Sequence, residues 1–266
     1  MIRAAVTGAM GRMGQRIIQL LQEEEGICLS GALEKPGHPK AGMDVGELSG
    51  IGKAHVPLST ELGAVLEGCD VIIDFTFPEI SLKNIREASA AGKSMVIGTT
   101  GFSEKEIESL RSFSRKVPNL FAPNMSLGVN LLLKLLPEVA RTLGKDFDVE
   151  IVEAHHHFKK DAPSGTAVRM AEVIASALDL DPEKSCVHGR CGKVGDRGRN
   201  EIGVHAVRGG DIVGEHTVMF CGAGERLEFV HKAGSRDTFA KGAIRAARWI
   251  VSQKPGLYSM IDMLGI

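Results

Sequence analysis

The sequence predicts an α/β chain in two parts: a parallel sheet with helices on both faces, followed by an α+β domain with a mixed, mainly antiparallel sheet. Three observations carry this. Short apolar runs alternate with longer amphipathic stretches from Ile2 to Ala122. Near residue 127 the alternation stops, and strand-like runs then follow one another among glycines. The length, 266 residues, suits two domains.

The elements follow in order. Ile2–Val6 reads as a strand. Arg12–Glu24 reads as a helix, with Met13, Ile17, Leu20 and Leu21 at helical spacing. Ile27–Leu33 is a second strand, Leu58–Glu67 a short helix, Val71–Phe75 a buried strand and Ser81–Ala91 a helix. Ser94–Ile97 is a strand. Ser103–Lys116 is a helix that opens with a capping box, Ser103 followed three residues later by Glu106. Leu120–Ala122 is a further strand. In the second part Val129–Leu143 and Thr166–Leu178 read as helices. Phe147–Ala154, Ile202–His205, Val218–Cys221 and Arg226–Lys232 read as strands, and Phe239–Val251 as a late amphipathic helix. Lys184–Arg199 is polar, basic and rich in glycine, and reads as an exposed loop. These runs divide the chain into residues 1–126, residues 127–236 and a C-terminal stretch, 237–266.

Composition excludes several classes. Lys+Arg total 32 and Asp+Glu 33, a net charge of −1, which does not suit a protein built to neutralise phosphate backbones. One Trp, one Tyr and 10 Phe leave little for base stacking. The first residues run straight into a glycine turn without the apolar stretch of a signal peptide. No apolar run approaches a membrane span. Five cysteines, odd in number and scattered, do not form a disulfide framework, so a reduced, cytoplasmic setting is expected. Glycine is in excess, 32 residues, and its placement carries the functional reading.

The first cluster is Thr7-Gly8-Ala9-Met10-Gly11-Arg12-Met13-Gly14, between the first strand and the first helix. Glycines there permit a tight turn and close backbone approach to a pyrophosphate, which the helix N-terminus attracts. The spacing is G-x-x-G-x-x-G, a variant of the dinucleotide fingerprint with Ala9 at the usual second glycine. Glu34 ends the second strand 20 residues after Gly14, where an acid binds the ribose hydroxyls of NAD. Lys35 beside it suits the extra phosphate of NADP. Asp74-Phe75-Thr76, Gly98-Thr99-Thr100-Gly101 and Asn124 in Ala122-Pro123-Asn124-Met125 also follow strands on this side. There they border a ribose and nicotinamide or simply form turns.

The second cluster runs from Glu153 to Thr166 and holds His155, His156, His157, Lys159 and Lys160. Histidine exchanges protons near neutral pH. On a strand His155 and His157 share a face and His156 takes the other, and no Cys or acid stands at zinc spacing, so no metal is expected. Cys186-x-His188-x-x-Cys191 is a separate, weak metal pattern. Four extended residues span about 13 Å, so the chain must curl after His157 if His155 and Lys159 are to reach one small ligand. Gly165 and Thr166 open the next helix, an anion site suited to a carboxylate. A proton donor beside such a site, joined to a nicotinamide domain, implies reduction of a small anionic substrate.

These segments resemble the dihydrodipicolinate reductase (4-hydroxy-tetrahydrodipicolinate reductase) family. The matching stretches are Val6–Gly14, Asp74–Thr76, Val96–Phe102, Ala122–Ser126, Glu153–His156, Lys159, Asp161–Ala167 and Gly210–His216, in order over nearly the whole chain. The resemblance implies a Rossmann-type domain and a sheet-forming domain that builds a homotetramer. It also implies that residues 237–266 form a helix returning to the nucleotide domain. The implied reaction is reduction of a cyclic dicarboxylate imine to tetrahydrodipicolinate with NADH or NADPH, in diaminopimelate–lysine biosynthesis. His155 falls at the general-acid position and Lys159 at the companion proton donor. His156, Gly165 and Thr166 fall where substrate carboxylates bind. Gly8, Ala9, Met10, Gly11, Arg12, Met13, Glu34, Lys35, Gly98, Thr99, Thr100, Ala122, Pro123, Asn124 and Met125 fall at cofactor positions. Lys35 stands where the family often has a basic residue for NADP, though Lys grips a phosphate less firmly than Arg. The alternative is a nicotinamide-dependent dehydrogenase of another small amino or oxo acid.

Overall fold

The computed structural model describes all residues, Met1–Ile266. The chain begins β1 (Ile2–Thr7), α1 (Arg12–Leu21), β2 (Ile27–Leu33), α2 (Val45–Leu48), β3 (Leu58–Ser59), α3 (Leu62–Leu66), β4 (Val71–Asp74), α4 (Pro78–Ala90), β5 (Ser94–Ile97), α5 (Glu104–Phe113) and β6 (Pro118–Phe121). It continues α6 (Leu127–Leu143), β7 (Asp148–His155), α7 (Gly165–Ala177), α8 (Pro182–Ser185), β8 (Cys186–His188), β9 (Ile202–Arg208), β10 (Gly214–Cys221) and β11 (Arg226–Ala233). It ends α9 (Asp237–Ile250), β12 (Gly256–Tyr258) and α10 (Met260–Leu264). Two units result: Met1–Ser126 with Asp237–Gly265, and Leu127–Arg236 with Ile266.

The first unit is a parallel seven-stranded sheet in the order β12-β6-β5-β4-β1-β2-β3. Its strands are apolar on both faces, so both must be covered. Ala5, Ile72, Met95 and Ile97 pack on one side with Leu62 and Val65 of α3, Ile85 and Ala88 of α4 and Leu110 of α5. Ala4, Val6, Val71, Ile73 and Val96 alternate to the other side, which α1 and α9 cover. Those two helices bury Ile17, Ile18 and Leu21, and Ala240, Ala243, Ala247 and Ile250. A two-pronged ion pair from Arg16 to Asp237, at 2.5 and 2.7 Å, ties them together. The strand order reverses between β1 and β4, and crevices at such reversals receive ligands.

The second unit has five strands in the order β11-β10-β7-β9-β8. β10 runs antiparallel to β11 and β7, while β9 runs parallel to β7 and β8. The sheet is mixed as expected, and its longest pairing, β10 with β11, is antiparallel. One face packs on α6 and α7: Val149, Ile151, Ile202, Val204, Val218 and Phe220 meet Leu136, Ala140, Met170 and Ile174.

Three local expectations change. Leu58–Glu67 is not one helix. Leu58–Ser59 pairs with β2, and the Ser59 hydroxyl takes the Glu61 N–H in a turn before α3 begins. The stretch 237–266 is not one helix either. α9 stops before Pro255, Gly256–Tyr258 adds a strand beside β6, and a Ser259–Asp262 capping box starts α10. Within Lys184–Arg199, Lys184 and Ser185 close α8 and Cys186–His188 forms an edge strand on β9; the rest is loop.

Candidate active site

The glycine turn after β1 is shaped for close approach. Gly8 has φ +67°, and a Cβ there would stand 2.8 Å from the Phe75 carbonyl oxygen at the end of β4. A Cβ on Gly14 would stand 2.1 Å from the Gly8 carbonyl oxygen, so α1 presses directly on the turn. α1 has no side-chain N-cap and no acid in its first turn. Its amides and positive dipole are thus left for an anion. Glu34 is fixed at the rim: its Oε1 accepts the Met10 N–H at 3.1 Å and its Oε2 the Lys35 N–H at 3.1 Å. Ala9 is buried and donates its N–H to the Leu33 carbonyl at 3.1 Å, while Arg12 and Lys35 are exposed and Met13 is half-buried. A glycine-lined turn, an uncompensated helix start and a rim carboxylate fit a dinucleotide.

The next two loops are joined by a buried acid. Asp74 at the end of β4 has no solvent exposure. Its Oδ1 accepts from the hydroxyls of Thr76 (2.9 Å), Ser81 (2.7 Å) and Thr99 (2.9 Å), and its Oδ2 from Asn84 Nδ2 (2.9 Å). Thr99 Oγ1 also accepts the Thr76 N–H at 2.8 Å. The Thr99 side chain is therefore committed inward, and only its backbone remains for a ligand. A Cβ on Gly98 would lie 2.2 Å from the Phe75 ring. Thr100 and Pro123 are exposed. Asn124 Oδ1 accepts the Ser126 N–H at 2.9 Å. Ala122 and Met125 are buried, and Gly242 of α9 packs so closely that its Cβ would meet the Met125 carbonyl at 1.8 Å.

In the second unit the site forms where β7 ends. His155 Nδ1 lies 2.6 Å from Glu153 Oε2, two residues earlier on the same face. Glu153 is fully buried and also takes two prongs of Arg208 on β9, each at 2.8 Å, and the Ser164 N–H at 2.9 Å. His216 on β10 packs edge-on to His155 at 5.3 Å, and its Nε2 lies 3.1 Å from Ser164 Oγ. After His155 the chain turns. The Lys159 N–H donates to the His156 carbonyl at 3.1 Å, which brings the lysine back toward the histidine. Lys159 Nζ meets Asp161 at 2.9 Å and holds that carboxyl below the usual range. His156 is tied by its N–H to the Ile212 carbonyl at 2.8 Å, and its Nδ1 is buried without a hydrogen-bond partner. Gly165 and Thr166 open α7; Ser164 caps it by accepting the Ala167 N–H, and its first turn holds no acid.

Burial sets the charges here. It pushes the His155 pKa below the ordinary value, with Glu153 opposing it and Lys159 and Arg208 reinforcing it. Burial pushes His216 down to about 4, reinforced by His155, His231 and Lys159. The Glu153 carboxyl lies low although burial alone would raise it, because Arg208, His155 and the Ser164 amide donate to it.

Asp74, expected at most to border the cofactor, instead faces inward, and Glu153, Arg208 and His216 carry contacts that the sequence did not mark. For Asp74 a signal existed: Ser81 and Asn84 are polar residues on the buried side of α4. For Arg208 none existed, since it pairs across 55 positions.

Two family models cover the chain: "Dihydrodipicolinate reductase, N-terminus" over residues 2–125 and "Dihydrodipicolinate reductase, C-terminus" over 128–264. The 4-hydroxy-tetrahydrodipicolinate reductase of Geotalea daltonii is 56% identical over 266 residues, covering 100% of both chains. That of Geobacter sulfurreducens is 55% identical, again over 100% of both. Among solved structures, a dipicolinate-bound dihydrodipicolinate reductase from Paenisporosarcina sp. superposes with TM-score 0.77 at 25% identity, covering 98% of each chain. An amine dehydrogenase from Mycobacterium smegmatis, at TM-score 0.62 and 14% identity, shares the fold. Matched in both halves and sharing more than half its residues with full-length relatives, the chain belongs to the dihydrodipicolinate reductase family.

Proposed function

We propose that the chain catalyses the NAD(P)H-dependent reduction of 4-hydroxy-tetrahydrodipicolinate to tetrahydrodipicolinate, a step of diaminopimelate–lysine biosynthesis. The observation that carries the reading is the end of β7. There His155, paired with Glu153 at 2.6 Å, adjoins a turn that carries Lys159 and the start of α7. The dicarboxylate suits that site. One carboxylate takes the Gly165 and Thr166 amides at the start of α7, where the helix dipole favours an anion. His156 contributes a further polar contact. A relative of known structure is described as dipicolinate-bound, which supports a substrate of this class.

When bound, the nicotinamide supplies the hydride. The 4-hydroxyl leaves as water to give the conjugated cyclic imine; after hydride addition the ring is enamine-like and takes up a proton, and His155 and Lys159 are the residues that deliver it. Burial holds the free imidazole below the ordinary pKa and so disfavours its protonated form; the negative charge of an arriving dicarboxylate opposes that effect. Gly8, Ala9, Met10, Gly11, Arg12 and Met13 form the turn that would cradle the pyrophosphate. The Ala9, Met10 and Gly11 N–H groups are bonded to Leu33, Glu34 and Gly8, so the amides at the start of α1, from Arg12 and Met13, would donate to it. Glu34 takes the ribose hydroxyls of NADH, and Lys35 offers a point charge to the extra phosphate of NADPH, so both cofactors serve. Gly98, the Thr99 backbone, Thr100 and the stretch from Ala122 to Met125 border the nicotinamide end.

The assembly is a cytoplasmic homotetramer formed through the second sheet. Its face opposite α6 and α7 presents Val207 and Val230, 47% and 50% exposed. No helix is long and apolar enough to cross a membrane. A steady-state assay with both cofactors on enzymatically generated substrate tests the reading. Cofactor oxidation dependent on the cyclic dicarboxylate is expected. Turnover only with 2-oxo acids and ammonia would replace the reading with the dehydrogenase alternative.

A further inference from the structure

Reading His155 as the proton donor leaves one fully buried carboxylate without a role in the reaction. Glu153 has no exposed side-chain surface. Its Oε2 accepts from Arg208 Nη1 at 2.8 Å and faces His155 Nδ1 at 2.6 Å. Its Oε1 accepts from Arg208 Nη2 at 2.8 Å and from the Ser164 N–H at 2.9 Å. Arg208 neutralises the charge of this carboxylate and keeps it ionised, hence an acceptor only. An acceptor at 2.6 Å demands a hydrogen on His155 Nδ1. The other nitrogen, Nε2, is then where the imidazole gains and loses its proton. The surroundings leave that nitrogen room: residue 214 on the neighbouring strand is glycine, and a Cβ built there would crowd Nε2 to 3.0 Å.

We infer that Glu153, backed by Arg208, is a positioning residue for the reaction. It locks His155 in the Nδ1–H tautomer, so that proton exchange with substrate runs through Nε2 alone. Through the Ser164 N–H the same carboxylate fixes the residue that caps α7, so proton donor and carboxylate-binding helix start are set by one side chain. The inference rests on the reading of His155 as proton donor.

All the charged and titratable neighbours fit this division. Glu153 lies on the histidine's own strand, and Arg208 approaches from β9. His216 stands edge-on from β10, with His231 of β11 behind it. From the turn come Lys159 and its partner Asp161. Glu153 is the only anion in contact with the His155 ring. Its removal leaves burial, Lys159 and Arg208 unopposed, and all three disfavour the imidazolium.

Two measurements test the inference. The first is ring nitrogen NMR of His155 in the ligand-free wild-type protein at neutral to mildly alkaline pH. The Nδ1–H tautomer alone is expected, and a predominant Nε2–H tautomer overturns the inference without reference to turnover. The second is the pH profile of kcat/KM in Glu153→Gln. A glutamine both donates and accepts, so the tautomer is no longer fixed. Expected are a kcat lower by about a hundredfold or more, a basic limb moved to lower pH, and an unchanged Kd for NADH. Glu153→Asp, which keeps the charge, should retain more activity than Glu153→Gln. A Glu153→Gln profile with its limb at the wild-type pH overturns the inference, as a purely structural role would leave the limb in place. If that variant does not fold, the wild-type tautomer decides alone. Wild-type turnover in His155→Gln would remove the proton-donor reading itself, by a readout separate from the tautomer.

Discussion

Mild acid should destabilise this fold through His216. The side chain is 4% exposed, and burial holds its pKa at about 4 against an ordinary 6.5. His155, His231 and Lys159 add to the depression, and Glu153 opposes it. Because the folded value lies below the unfolded one, neutral His216 contributes stability above pH 6.5 that is lost as pH falls toward 4. Each pH unit in that window carries about 1.4 kcal/mol, so the whole effect is about 3 kcal/mol and the share reached by pH 5 is about 2 kcal/mol. His216→Gln removes the titration while offering an amide to Ser164 Oγ. Urea unfolding of both proteins at pH 8 and pH 5, at one protein concentration, gives the comparison. Wild type should lose about 2 kcal/mol more than the variant over that range. Equal losses would refute the reasoning, because the buried imidazole would then cost nothing to protonate.

Further outcomes follow from the first unit. Gly14→Ala drives a Cβ toward the Gly8 carbonyl at 2.1 Å, so the Kd for NADH, read by fluorescence titration, should rise at least about tenfold; an unchanged Kd would contradict the cradle. Asp74→Ala strips Thr76, Ser81, Thr99 and Asn84 of their shared acceptor. It should cost about 3 kcal/mol or more in chemical denaturation and weaken NADH binding; a loss within about 0.5 kcal/mol would show that these donors find other partners. The pH profile of wild-type kcat/KM should fall as pH rises through the lowered pKa of His155, and a flat profile would exclude it as the acid.

Five strands of the first sheet, β1, β2, β4, β5 and β6, were legible because their signals are local. A strand, a glycine turn and a helix lie within Ile2–Leu21, and the Ser103–Glu106 capping box predicted from four residues is formed at 2.7 Å. Glu34 stands directly after β2, as its spacing from Gly14 required. What the sequence left obscure depends on distant partners. Cys186–His188 is too short for any periodicity to mark it as a strand. The loop after it is fastened by Arg190 and Arg197 to Glu150, 40 and 47 positions away. Burial alone would raise that carboxyl's pKa, but the two arginines and His205 donate to it and hold it at about 2. Gly203 has a reason of the same kind, since a Cβ there would meet Glu150 Oε2 at 1.8 Å. At the candidate site, the run of histidines stands out in the sequence, but the carboxylate beside it meets its partners only once Arg208 and Ser164 are folded against it. The Ser259–Asp262 box, by contrast, was a local signal for α10 that a reading of 237–266 as one helix passed over.

As proposed above, the chain reduces a cyclic dicarboxylate imine with protons delivered at the end of β7. Lys159→Ala tests it most directly, with NADH affinity and turnover of the enzymatically generated dicarboxylate measured on the same preparation. Turnover is expected to fall by at least about a hundredfold with an NADH Kd near that of wild type. Near wild-type turnover in that variant would contradict it.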